Sequence, residues 1–217
     1  MKTFFGSSLI FITLFTSAFA KPSTPLPKNA HFVAEKAEDV IDYFLKGDWA
    51  GAQAIVDSMG MKEKSIVAIL QDNQVSASSV DDFGYLMFRL KTLTLQKKEP
   101  IQAALVANQI TNLLIDLHRH YAHQVPLQVA RMDCLGREVV LLAQVSNDYG
   151  LLNRRIAEMD RVWKSLQKTI LKKGGEKVAT HVDQVINEMQ KGVSGQQMIK
   201  QGNTILDLVD ELEALFK

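Results

Sequence analysis

From position 31 onward, apolar residues recur every three or four places, the spacing that lines one face of an α-helix. Val33, Ala37, Val40, Ile41, Phe44, Leu45, Trp49, Ala52, Ile55, Val56 and Met59 form the first such stripe. It stays in phase across Gly47-Asp48, which predicts one long helix over 31–59, kinked at most. Asp48 could instead cap a second helix after a short turn. A short helix follows at 62–71, with Ile66, Ile69 and Leu70 inward, and the polar, serine-rich stretch 73–79 reads as a loop. The run 81–99 turns Phe83, Leu86, Met87, Leu90 and Leu93 inward. Pro100 closes it and opens the next, because its ring disfavours helix in the residue before it and suits a helix's first turn.

That next helix is predicted over 100–123, with Ile110, Leu113, Leu114, Leu117 and Tyr121 on its apolar side. Val125-Pro126 repeats the device and opens a helix to 146. Its run 139–143 is apolar all round, which marks the most buried element. After a turn at 147–150, Ile156, Met159, Val162, Trp163, Leu166 and Ile170 define another helix, stopped by Lys172-Lys173-Gly174-Gly175. Two more are predicted at 176–190 and 194–216. No window alternates with period two, so no sheet is expected. Short turns make successive helices antiparallel neighbours. The pattern predicts an all-α fold, an antiparallel bundle of six or seven helices.

The first 20 residues differ from all of this. Lys2, an apolar run from Phe4 to Phe19, and small residues at Ala18 and Ala20 have the form of a cleavable export signal. Gly6, Ser7, Ser8, Thr13, Thr16 and Ser17 interrupt the run, which is shorter than the ~20 apolar residues a membrane span needs. The expected organisation is a signal peptide at 1–20, an extended Pro-rich leader at 21–30 and one helical domain at 31–217, not membrane-spanning once cleaved. No cysteine follows the apolar core, so the expected product is free in the periplasm or secreted.

Charge narrows the partners. Lys2 is the one charge removed with the signal, which leaves 24 basic against 24 acidic residues. A balanced surface argues against nucleic acid and against clinging to anionic lipid. Cys134 is the single cysteine, so no internal disulfide can form, and its apolar helix predicts a buried, inert thiol.

Two stretches could carry chemistry. In the first, Asp116, His120 and His123 fall at i, i+4 and i+7 of the predicted helix, one face that could hold a divalent transition metal. The same face also reads as solvated surface with Gln109, Asn112 and Arg119, and His118 lies roughly 200° from His120. In the second, Asp133 and Arg137 stand at i, i+4, and Arg131 and Glu138 at i, i+7, in the most apolar helix. Charges there need partners, and an intrahelical salt-bridge network is the structural expectation. Mid-helix Gly136 costs ~1 kcal/mol against Ala and calls for a close helix approach. Counted from Val125-Pro126, Asp116 and Asp133 reach similar heights, so Asp116, His120, Asp133 and Arg137 could converge as a ligand site. His181 reads as a core histidine, and Trp49 and Trp163 as packing anchors. There is no CxxCH, which removes covalent haem, and no nucleophile elbow, P-loop or dinucleotide fingerprint.

The run Val125-Pro-Leu-Gln-Val-Ala-Arg-Met-Asp-Cys-Leu-Gly-Arg-Glu138, with Gly47-Asp-Trp49 upstream, resembles uncharacterised bacterial periplasmic helical-bundle proteins. The resemblance implies an envelope location and a helical fold, and no activity. The expectation is therefore a non-enzymatic bundle that binds a small ligand, a metal ion or an envelope partner protein. The alternative is a structural or chaperone-like protein working through an apolar groove. N-terminal sequencing of the exported form is expected to read from Lys21, and a product that still begins at Met1 would refute the signal.

Overall fold

The computed structural model describes residues 24–145, 149–192 and 194–217. The signal segment, the start of the leader and most of the turn after 145 lie outside them. Nine α-helices stand among the described residues, with no strand. They are α1 (Lys28–Lys46), α2 (Trp49–Gly60), α3 (Glu63–Asp72), α4 (Ala77–Gln96), α5 (Pro100–His118), α6 (Leu127–Val145), α7 (Tyr149–Lys172), α8 (Glu176–Gln190) and α9 (Gly195–Ala214). The all-helical expectation holds, and the count is nine rather than six or seven.

One excess helix comes from the 31–59 stripe, which is two helices and not one. Gly47 adopts a left-handed φ of 72° and closes α1, its N–H bonded back to Phe44 O. Asp48 then caps α2, its carboxylate accepting from Gly51 N–H at 2.9 Å. The stripe stayed in phase because both helices turn apolar faces to the same core. Val40, Ile41 and Phe44 are buried on one, Ala52, Val56 and Met59 on the other. The serines at 76–79 are likewise less loop than cap: the Ser76 hydroxyl accepts from Ser79 N–H, so α4 begins at Ala77. At its far end Lys97 and Glu99 take left-handed conformations before Pro100.

α5 ends at His118, five residues short of the predicted 123. Tertiary packing overrides the helical pattern there. Tyr121 leaves the helix axis to pack against the core, only 9% exposed, and its hydroxyl accepts from Asn73 Nδ2 at 2.6 Å.

α5 and α6 form the centre. Residues 103–108 of α5 are buried without a break, so it shares the interior place expected of α6 alone. α6 packs most extensively on α9, and also on α5 and α7. The α6–α9 contact rests on two glycines. A Cβ on Gly202 would lie 2.5 Å from Val140 Cγ2 and 3.4 Å from Gly136 O; one on Gly136 would meet Ile205 and Leu206 methyls at 3.0 Å. This is the close approach that a glycine in mid-helix implied. Trp163 is fully buried and donates from Nε1 to Asp183 at 2.6 Å, tying α7 to α8. Trp49 packs on Phe44 with ring centres 5.5 Å apart. His181 departs from expectation: it is exposed, and Val178, Val182 and Val185 fill the inner face of α8 without it.

Gly202→Ala is expected to lower stability by about 1–3 kcal/mol through overpacking against Val140. Gly84→Ala, in open space on α4, should instead raise it by about 0.5–1 kcal/mol through helix propensity. Urea midpoints of the two variants against the parent check both signs.

Candidate functional site

α6 carries Arg131, Asp133, Arg137 and Glu138 into the middle of the fold, where desolvation makes each unpaired charge costly. Three of the four find partners on other helices. Arg131 reaches α5, with its Nη2 2.6 Å from Asp116 Oδ1 and its Nη1 bonded to Asn112 Oδ1. Glu138 accepts from Arg155 Nε of α7 at 2.9 Å. Only Asp133 and Arg137 pair within the helix, at 2.5 Å, and Arg137 also faces Glu38 of α1 at 3.9 Å and Asn108 Oδ1 of α5 at 3.4 Å. Asn108 donates in turn to the Cys134 carbonyl at 2.9 Å. The expected intrahelical network is thus mainly an interhelical one, and Arg131 and Glu138 do not pair.

Apart from the Glu138–Arg155 pair, which stands by itself toward α7, these contacts form two separate centres. Arg131 and Arg137 are six residues apart, roughly 9 Å along the helix. The upper centre joins Asp116, Arg119, Arg131 and Asn112. The lower joins Asp133, Arg137, Asn108 and Glu38. Asp116 and Asp133 therefore hold different cations. His120 joins neither; it lies past the end of α5 and is exposed. The metal face of Asp116, His120 and His123 is lost for the same reason, since its spacing needs helix beyond His118. Among the described residues no three His, Cys, Asp or Glu side chains form a group suited to a metal ion.

The upper centre borders open space. A cleft of about 360 Å³ between α5, α6 and α7 is lined by Ile115, Asp116, Arg119, His123, Leu127, Gln128, Arg131 and Val162. Asp116 Oδ1 takes both Arg131 and Arg119, the latter at 2.7 Å. One carboxylate thus faces two guanidiniums, leaving an excess of positive charge beside apolar walls. On the other side of Asp116 a groove of about 380 Å³ runs between α4 and α5, past Tyr85, Leu86, Gln109 and Leu113. The lower centre opens on a cleft of about 400 Å³ at α1, α6 and α9, lined by Arg137 with Glu38, Asp39 and Asp42. No helix among the described residues is long and apolar enough to cross a membrane.

Burial sets the protonation of these groups. It pushes the Asp133, Glu38 and Glu138 carboxyls above the ordinary range, and Arg137 or Arg155 only partly offsets it. The Cys134 thiol, 2% exposed, is pushed far up by burial and stays protonated, as its apolar setting implied. Sequence reasoning missed Glu38, Asn108 and Arg155 as partners of the α6 charges. Asn108 carried a usable signal, an amide set in the apolar run Ala103-Ala-Leu-Val-Ala107. Comparison with known protein families, curated proteins and solved structures finds no match.

A carboxyl whose folded-state pKa is raised favours the folded state most when protonated, and that contribution is lost as pH rises through the folded value. Arg137 is the cation that Asp133 and Glu38 share. Arg137→Leu is expected to cost about 1–3 kcal/mol at pH 8, by leaving Asp133 charged and unpaired. The cost should shrink toward pH 5 as the carboxyls take up protons. Denaturation at the two pH values measures the difference, and a pH-independent cost would contradict it.

Proposed function

We propose that this chain is an exported, non-enzymatic binding protein whose cleft between α5, α6 and α7 takes a small amphipathic acid. The observation that carries the reading is Asp116 Oδ1 shared by Arg119 and Arg131 at 2.7 and 2.6 Å. A ligand carboxylate would complete the charge balance by engaging the guanidiniums, which suit it bidentately. Ile115, Leu127 and Val162 would cover an apolar body. The cleft volume of about 360 Å³ falls in the range of small-ligand sites. Binding rather than catalysis is favoured because no nucleophile stands beside a base at the cleft. An envelope location follows from the signal-like first 20 residues.

A second reading has its own observation. α4 exposes Tyr85, Phe88 and Leu95, which with Thr92 keep the 3-4-3 spacing of a coiled-coil seam. Arg89 and Lys91 flank the seam, Lys91 already paired with Glu63 of α3 at 2.7 Å. Two copies paired antiparallel would set Arg89 against Arg89, so the occupant that fits is an acidic amphipathic helix of an envelope partner. This is the form in which a structural or chaperone-like role would act.

Titration with octanoate, followed by amide and side-chain NMR shifts, tests the first reading. Shifts are expected at Arg119, His123, Arg131 and Val162, with affinity at least tenfold weaker in Arg131→Gln and in the exposed-site variant Arg119→Gln. Equal binding of octylamine, or affinity unchanged in both variants, would refute it. Shifts confined to Tyr85, Phe88 and Leu95 with a Glu-flanked heptad peptide would favour the second.

A further inference from the structure

His118 ends α5 with its ring turned partly inward, and its Nε2 is buried without a hydrogen-bond partner in the protein. Buried polar atoms are nearly always satisfied, so such an atom calls for an explanation. The same residue lines a cavity of about 210 Å³ with Leu26, His31, Tyr121, Ala122 and His123. Three of the chain's five histidines thus meet at one small space. They come from three elements: α1, the end of α5, and the 119–126 connection. Leu26 belongs to the strap of residues 24–27 ahead of α1. One backbone bond, Ala122 N–H to Thr24 O at 2.7 Å, ties that strap to the connection. The connection also supplies Arg119 and His123 to the α5–α6–α7 cleft, so it walls both spaces.

We propose that this corner is a proton-operated latch. Protonation of His118, with His31 and His123 beside it, parts the 119–126 connection from the 24–27 strap and opens the wall it gives to the cleft.

The surrounding groups make a charged His118 hard to hold. From α1 comes His31, whose Nε2 lies 3.6 Å from Glu35 in an exposed pair. From the connection come His123, its Nδ1 3.0 Å from Tyr121 O, and Tyr121, whose hydroxyl is engaged by Asn73 at the end of α3. Arg119 is drawn away to Asp116. The strap offers Leu26, which is apolar. The titratable groups that act on His118 are His31 and His123, and both disfavour its charged form. Burial first, and those two imidazoles next, hold its pKa below the ordinary value. The sign follows: a histidine with a lowered folded pKa supports the closed form fully above the ordinary value. That support is lost as pH falls below about 6.5. The corner is closed at neutral pH and opens in mild acid.

What opening does to a bound acid rests on the cleft reading above; the opening itself does not. The test therefore leaves ligand out. Imidazole shifts and the amide protection of Ala122, corrected for intrinsic exchange, are followed by NMR from pH 8 to pH 5. Ala122 is expected to lose at least tenfold in protection as His118 becomes charged. His118→Gln, neutral at every pH, should hold that protection across the range, and His181→Gln on α8 should behave as the parent. Protection that persists while His118 titrates, or a His118→Gln profile equal to the parent's, overturns the latch. Should His118→Gln fail to fold, the parent's own paired titration decides. A failed latch leaves octanoate binding untouched, and a cleft that binds nothing leaves the latch standing.

Discussion

A helix that runs through the middle of a bundle with two arginines, an aspartate and a glutamate on it can be buried only if its neighbours supply the opposite charges. That requirement organises this protein. Asp116 and Asn112 on α5 meet Arg131, Arg155 on α7 meets Glu138, and Arg137 draws in Glu38 from α1 and Asn108 from α5. Each pair fixes the height of one helix against α6, which apolar packing alone would leave free to slide by a turn. Toward α9 the fit is steric: Gly136 and Gly202 let that helix come close enough for backbone to meet side chain. Electrostatic register on three sides and steric register on the fourth together hold the centre.

The helical class was legible because it rests on periodicity, which burial imposes on nearly every element. Boundaries were less so where a local signal and a tertiary one competed. Gly47-Asp48 is a complete stop-and-start pair, yet the apolar phase ran through it and favoured continuity. At 119–123 the composition permits helix, and only the place waiting for Tyr121 beside Asn73 ends it. The serines before α4 read as loop when counted by composition and as cap when one asks which hydroxyl meets which N–H.

The candidate site was legible by residue type and not by partner. Arg131, Asp133, Arg137 and Glu138 stood out as charges in an apolar helix, and Asp116 as a carboxylate on its neighbour. Pairing them needs the rotation of α5 about its axis, α6's angle to α7 and the position of α1, none of which spacing encodes. Hence spacing sets Asp116 level with Asp133 although it bonds to Arg131, and turns His118 away from His120 although it is the His118 nitrogen that is buried.

Cys134 gives the centre one further property. The residue is 2% exposed, and its backbone carbonyl accepts from Asn108 Nδ2 of α5 at 2.9 Å. A reagent that modifies sulfur reaches a thiol so buried chiefly when the helices around it open. The chain thus contains its own tracer of integrity: the speed at which this sulfur reacts reports how often its surroundings open, and an oxidising surrounding leaves it unmarked for as long as they stay closed.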